Sequence, residues 1–244
     1  MKRVNTAFIA FVLTIAAAFG VAVVPASAQS AKAGGAASEQ RVRTSLNLAV
    51  LVQDDLESRV GNELKVTREF IASLPQGSRV MVGYIRSGSL QVRQPFTEDL
   101  TLAGRALRMP VGSSAVAPYN PYVQVRDALK QFPEGGGNRN AILLISDGLD
   151  TSRGFDYSST VHSLDLDRAA RLAKEKNVEV YSFYAPTAGL TTWNRTAMHY
   201  GQSALNRLSN ETGGRAFFQG TSFVTFDSYF ERLRRTLNEK GVAY

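Results

Sequence analysis

Ala141-Ile142-Leu143-Leu144-Ile145-Ser146-Asp147-Gly148-Leu149-Asp150-Thr151 is an unbroken apolar run that ends on a carboxylate, a glycine and a second carboxylate. With Gly135-Gly136-Gly137 before it and Gly148 after the run, it reads as a strand buried on both faces, as in parallel sheets covered by helices. Ligands of such sheets bind beyond the carboxyl ends of the strands, where the strand order reverses. Asp147 is expected at that edge.

Toward the N-terminus, Tyr122 to Phe132 reads as a helix with Val123, Ala128, Leu129 and Phe132 as its inner face, preceded by a proline-rich loop from Pro110 to Pro121. Leu46 to Val52 is a second buried strand, and it too ends in carboxylates, Asp54 and Asp55. Between the two lie a helix from Asn62 to Leu74, a strand from Arg79 to Ile85, an edge strand from Leu90 to Phe96 after the Ser87-Gly88-Ser89 turn, and a short helix from Thr97 to Leu107. On the C-terminal side a loop (Thr151 to Ser163) leads to a helix (Leu164 to Lys176) and a strand (Val178 to Tyr184). A second loop (Ala185 to Asn194), a helix (Thr196 to Asn210) and a short strand (Arg215 to Phe218) follow. Phe226, Tyr229, Phe230, Leu233 and Leu237 then recur at helical spacing and predict a last helix with one apolar stripe. This alternation predicts an α/β fold: a three-layer sandwich on a doubly wound, mostly parallel sheet with one antiparallel edge strand.

The chain has 244 residues and no cysteine, which excludes disulfides, thiol chemistry and lipid attachment through an N-terminal cysteine. Lys2 and Arg3, the apolar stretch from Ala7 to Val24 and the small residues Ala26-Ser27-Ala28 predict a secretory signal over residues 1–28. Left uncleaved, the same stretch would be a membrane anchor. Residues 29–43 begin rich in Ala, Gly and Ser and read as a flexible linker, and residues 44–244 as one domain. The formal charge is +7, or +5 once Lys2 and Arg3 are removed. Positive residues are scattered apart from Arg232, Arg234 and Arg235 on the last helix, which read as a solvated face, so no nucleic-acid partner is expected.

The strand ending in Asp54, the segment Ile145-Ser146-Asp147-Gly148-Leu149-Asp150-Thr151 and the turn Glu211-Thr212-Gly213-Gly214, in this order, resemble a von Willebrand factor type A (vWA) domain. Tyr181-Ser182-Phe183-Tyr184-Ala185-Pro186, Tyr200-Gly201-Gln202-Ser203 and Gly213-Gly214-Arg215-Ala216-Phe217-Phe218 are similar to the exported subfamily common in acidobacteria, and the resemblance spans Leu46 to Tyr244. It implies a divalent cation, Mg²⁺ or Mn²⁺, held at the strand ends and completed by a partner's carboxylate. The family's first motif, Asp-x-Ser-x-Ser, reads Asp54-Asp55-Leu56-Glu57-Ser58 here, so Asp54 and Ser58 match and Leu56 brings no oxygen. The family's threonine falls on Ser114 in one register and on Val123 in another, and Asp147 matches its aspartate. The implied metal site is therefore Asp54, Ser58, Ser114 and Asp147, degenerate at one position. Either a metal binds with water in place of the missing hydroxyls, or the site is vestigial and arginines neutralise it. Asp54 and Asp147 also read as caps of the segments that follow them.

No Gly-x-Ser-x-Gly elbow follows a strand, and Gly135-Gly136-Gly137 precedes a strand rather than a helix. Neither a serine hydrolase nor a phosphate-cradling loop is expected, and no organic cofactor. A metal-assisted hydrolase on Asp54, Asp147, Asp150 and His162 is one alternative, and a metal-free scaffold is another. The reading is an exported module, periplasmic or secreted and not an enzyme, that binds a protein partner. Its surface is expected on the loops Asp54 to Arg59, Pro110 to Tyr122, Asp147 to Ser163 and Pro186 to Trp193, with Tyr119, Tyr122, Phe155, Tyr157 and Trp193 as aromatic anchors. Membrane contact is expected only with an uncleaved signal.

Overall fold

In the computed structural model of the chain, the described residues are 42, 44–112, 120–154, 163–218 and 225–240. The chain divides into Met1–Ser38 and Glu39–Tyr244, and every described residue lies in the second unit. The expected signal and most of the linker fall outside the described residues, as do Ser113, Ser114, Tyr119, Phe155, Tyr157 and His162. Among the described residues no helix is long and apolar enough to cross a membrane.

The elements run β1 (Leu46–Gln53), α1 (Val60–Ala72), β2 (Arg79–Arg86), β3 (Ser89–Thr97), α2 (Leu100–Arg105), α3 (Pro121–Leu129), β4 (Arg139–Ser146), α4 (Leu164–Glu175), β5 (Val178–Tyr184), α5 (Leu190–Trp193), α6 (Arg195–Glu211), β6 (Ala216–Phe217) and α7 (Phe226–Lys240). They build one six-stranded sheet in the order β3-β2-β1-β4-β5-β6. β1 pairs in parallel with both β2 and β4, β4 with β5, and β5 with β6, while β2 and β3 are antiparallel. The expected α/β class, the mostly parallel sheet and its antiparallel edge are all present. Order reverses at β1, because the chain builds outward to β3 and returns to place β4 on the other side of β1. The crevice beyond the carboxyl ends of β1 and β4 is therefore the switch point of the sheet.

Two-residue alternation splits the core into two layers. Leu48, Val50 and Val52 of β1 and Leu143 and Ile145 of β4 pack with α1, α2 and α7, whereas Ala49, Leu51, Ile142 and Leu144 pack with α3, α4 and α6. All five residues of the α7 stripe are buried. They meet Phe183 of β5 in an aromatic cluster, with ring centroids 4.9 Å to Phe230 and 5.1 Å to Tyr229. Side-chain caps start the helices where the sequence offers them: Asp99 on α2, Ser163 on α4 and Asn194 on α6.

Two details differ from the sequence expectation. Asn120 caps α3 and Pro121 opens it, which sets the helix phase so that Tyr122, Val125, Ala128 and Leu129 face inward and Val123 is only half-buried. The loop from Ala185 to Asn194 contains the single helical turn α5. As expected, the strand within 141–151 ends just before Asp147, at Ser146, and the chain turns at Gly148, whose φ is +76°.

Candidate functional site

At the switch point the two central strands are joined by an amide. Gln53 closes β1; its Oε1 accepts from the Ser146 hydroxyl and from the Asp147 N–H at 3.2 Å, and its Nε2 donates to the Asp55 carboxylate at 2.9 Å. Asp147 is buried. Its Oδ1 accepts the Leu149 N–H at 3.0 Å and its Oδ2 the Thr191 hydroxyl at 3.3 Å. Thr191 in turn accepts the Thr187 N–H at 2.9 Å, so α5 is tied into the site. α6 presses on the same turn through glycine: a Cβ on Gly201 would lie 1.9 Å from the Asp147 carbonyl oxygen, and one on Gly148 2.4 Å from that of Gly201. Only backbone on backbone fits there.

Burial foremost, and then the negative charge of Asp55, push the Asp147 carboxyl up to about 7, against the opposing hydrogen bonds from Leu149, Gln53 and Thr191. Burial also pushes Asp55 up to about 6; the Gln53 amide and a backbone hydrogen bond oppose this and the Asp54 charge adds to it. The carboxylates that interact across the crevice are thus Asp55 and Asp147.

Asp54 faces the other way. Its carboxylate is bound by the fork of Arg108, with Nη1 to Oδ1 at 2.6 Å and Nη2 to Oδ2 at 2.9 Å, and the Val111 N–H donates to Oδ1 at 3.1 Å. Arg86 Nε stands 3.7 Å from Oδ2. Leu56, at the position where the motif carries a serine, is fully buried in the core and bridges to Thr187, and Ser58 is exposed. Ser114 lies outside the described residues. Of the four residues expected to hold a cation, Asp54 and Asp147 are therefore both at the sheet edge but engaged with different partners. A divalent cation requires oxygens free to coordinate it, and those of Asp54 are engaged by guanidinium groups and a backbone N–H. No group of three or more His, Asp or Glu side chains is gathered as metal ligands would be, among the described residues. At Asp54, the residues present do not fit the ion.

Asp150 caps the loop: its carboxylate accepts from Asn120 at 3.0 Å, Ser163 at 3.1 Å and the Ser152 hydroxyl at 2.6 Å. Tyr122, expected as a surface anchor, is instead in the core, with its hydroxyl donating to the Gly148 carbonyl. Trp193 is 72% exposed. Arg108, Gln53 and Thr191 were not singled out from the sequence. Asp54 and Asp55 lie in the turn after β1, where strand alternation does not assign directions, and nothing in spacing marks Arg108.

No family model and no curated protein matches the sequence. Solved structures do. The conserved hypothetical protein BatB from Bacteroides thetaiotaomicron is similar with a TM-score of 0.57 and 13% identity, over 82% of this chain and all of that one. An aerotolerance-related membrane protein from Bacteroides fragilis, in a form with multiple mutations to serine, has a TM-score of 0.51 and 13% identity over 79% of this chain and 99% of that one. The SpRpn10 VWA domain has a TM-score of 0.48 and 12% identity, over 78% and 95%. The likeness to the two Bacteroides proteins shows the fold alone, an α/β sandwich on a mostly parallel sheet.

Proposed function

We propose that the chain is an exported protein-binding module, without catalytic activity, that engages its partner through the carboxyl edge of the sheet. One observation carries this reading. Of six large hydrophobic side chains exposed among the described residues, four follow the carboxyl ends of strands or line the β1 end: Met109 (57%), Val111 (53%), Leu164 (65%) and Trp193 (72%). All four stand on the side of the sheet where ligands of such folds bind, and exposed apolar side chains on that side suit a protein contact. Glu57 links two parts of this rim, since its carboxylate accepts the Thr192 hydroxyl at 2.8 Å beside Trp193. The crevice itself offers one buried and one half-buried carboxyl, Asp147 and Asp55, both pushed above the ordinary carboxylate range by burial. A bridging Mg²⁺ or Mn²⁺ is not part of the proposed function, because Asp54 is already bound by Arg108.

Site-specific photo-crosslinking tests the reading. With the crosslinker at Val111 or Trp193, envelope extract is expected to yield the same discrete adduct, and none with the crosslinker at Gly136, which precedes β4 at the opposite edge. Adducts from Gly136 alone, or none from any position, would refute it.

A further inference from the structure

Arg108 is fixed from several sides. Its guanidinium lies 4.1 Å over the Tyr84 ring, and Nη1 also donates to the Met109 carbonyl at 2.9 Å. Its backbone N–H donates to the Tyr84 hydroxyl, which donates to the Arg108 carbonyl, each at 2.7 Å. The carboxylate it binds is 1% exposed. A planar fork of this kind matches both oxygens of a carboxylate at once, which an ammonium does not. A divalent ion on Asp54 would have to displace the fork and set two positive charges beside Arg86 and Arg108.

We propose that Arg108 is the built-in counter-ion of Asp54, holding the end of β1 where a divalent cation would otherwise be needed, and that it thereby positions part of the apolar rim. The second half follows from connectivity. Val111 donates its N–H to the Asp54 carboxylate and Gly112 donates its N–H to the Asp54 carbonyl at 3.1 Å, so the segment carrying Met109 and Val111 is laced to β1 around the fork. Met109 reaches over α1, where a Cβ on Gly61 would lie 2.8 Å from its methyl carbon. The edge is assembled in this way whether or not it binds a protein.

Two measurements on the full chain test the proposal. The urea midpoint of the wild type is expected to be the same in EDTA and in excess Mn²⁺; a midpoint raised by Mn²⁺ would overturn it. In a double-mutant cycle, Asp54→Asn with Arg108→Gln is expected to lower the midpoint far less than the sum of the single changes, and Arg108→Lys to restore only part of the loss from Arg108→Gln. Additive losses, or full restoration by lysine, would also overturn it.

Discussion

Asp147 sits where burial and the neighbouring Asp55 both work against ionisation. A carboxyl whose folded pKa lies above its unfolded value keeps its proton longer in the folded chain, so the folded state loses stability as pH rises from the ordinary carboxyl range through about 7. In metal-free buffer, urea unfolding is expected to give a lower stability at about pH 8 than at about pH 5. Asp147→Asn should flatten that fall, and an unchanged slope would show that Asp147 is not its source. Beside it, Gly201→Ala would put a methyl group 1.9 Å from the Asp147 carbonyl oxygen. The expected cost is about 1–3 kcal/mol in the same assay, since backbone rather than a flexible side chain must move. The position of Asp147 was legible in the sequence because a buried apolar run must end somewhere, and it ended on that residue. Its company was not legible: Arg108 reaches Asp54 across 54 residues, and Thr191 reaches Asp147 across 44.

The strands and long helices were readable because each is written in its own period, and α7 is the clearest case. Its stripe meets the rings of Phe70 and Phe183, with Phe70 and Phe230 stacked at 4.5 Å. Phe230→Ala is expected to destabilise the chain by roughly 3–5 kcal/mol in thermal or urea unfolding, the range for removing a buried ring. α5 was not readable. Four residues are too few to show a period, and the turn is held by Thr191 bonding back to Thr187 rather than by an apolar face of its own. In α3 the period was visible but its phase was not, because the cap at Asn120 and the proline after it decide which residues turn inward.

The architecture as a whole followed from alternation of strands and helices, and the reversal of order at β1 marks the crevice where ligands of such sheets bind. What alternation could not supply was the state of that edge, which depends on side chains converging from β1, β4, α5 and the segment after α2. These give an edge held by an arginine–carboxylate fork, an amide and two threonines, rimmed by exposed apolar groups. If this edge is a metal-independent binding surface, partner capture must depend on its apolar rim and not on cations. Capture of an envelope partner by the full chain, with and without EDTA, for the wild type and for Trp193→Ser, reads both at once. The wild type is expected to retain the same partner in both buffers, and Trp193→Ser, folded by circular dichroism, to lose at least tenfold in capture, about 1.4 kcal/mol. Capture abolished by EDTA, or untouched by Trp193→Ser, would contradict it.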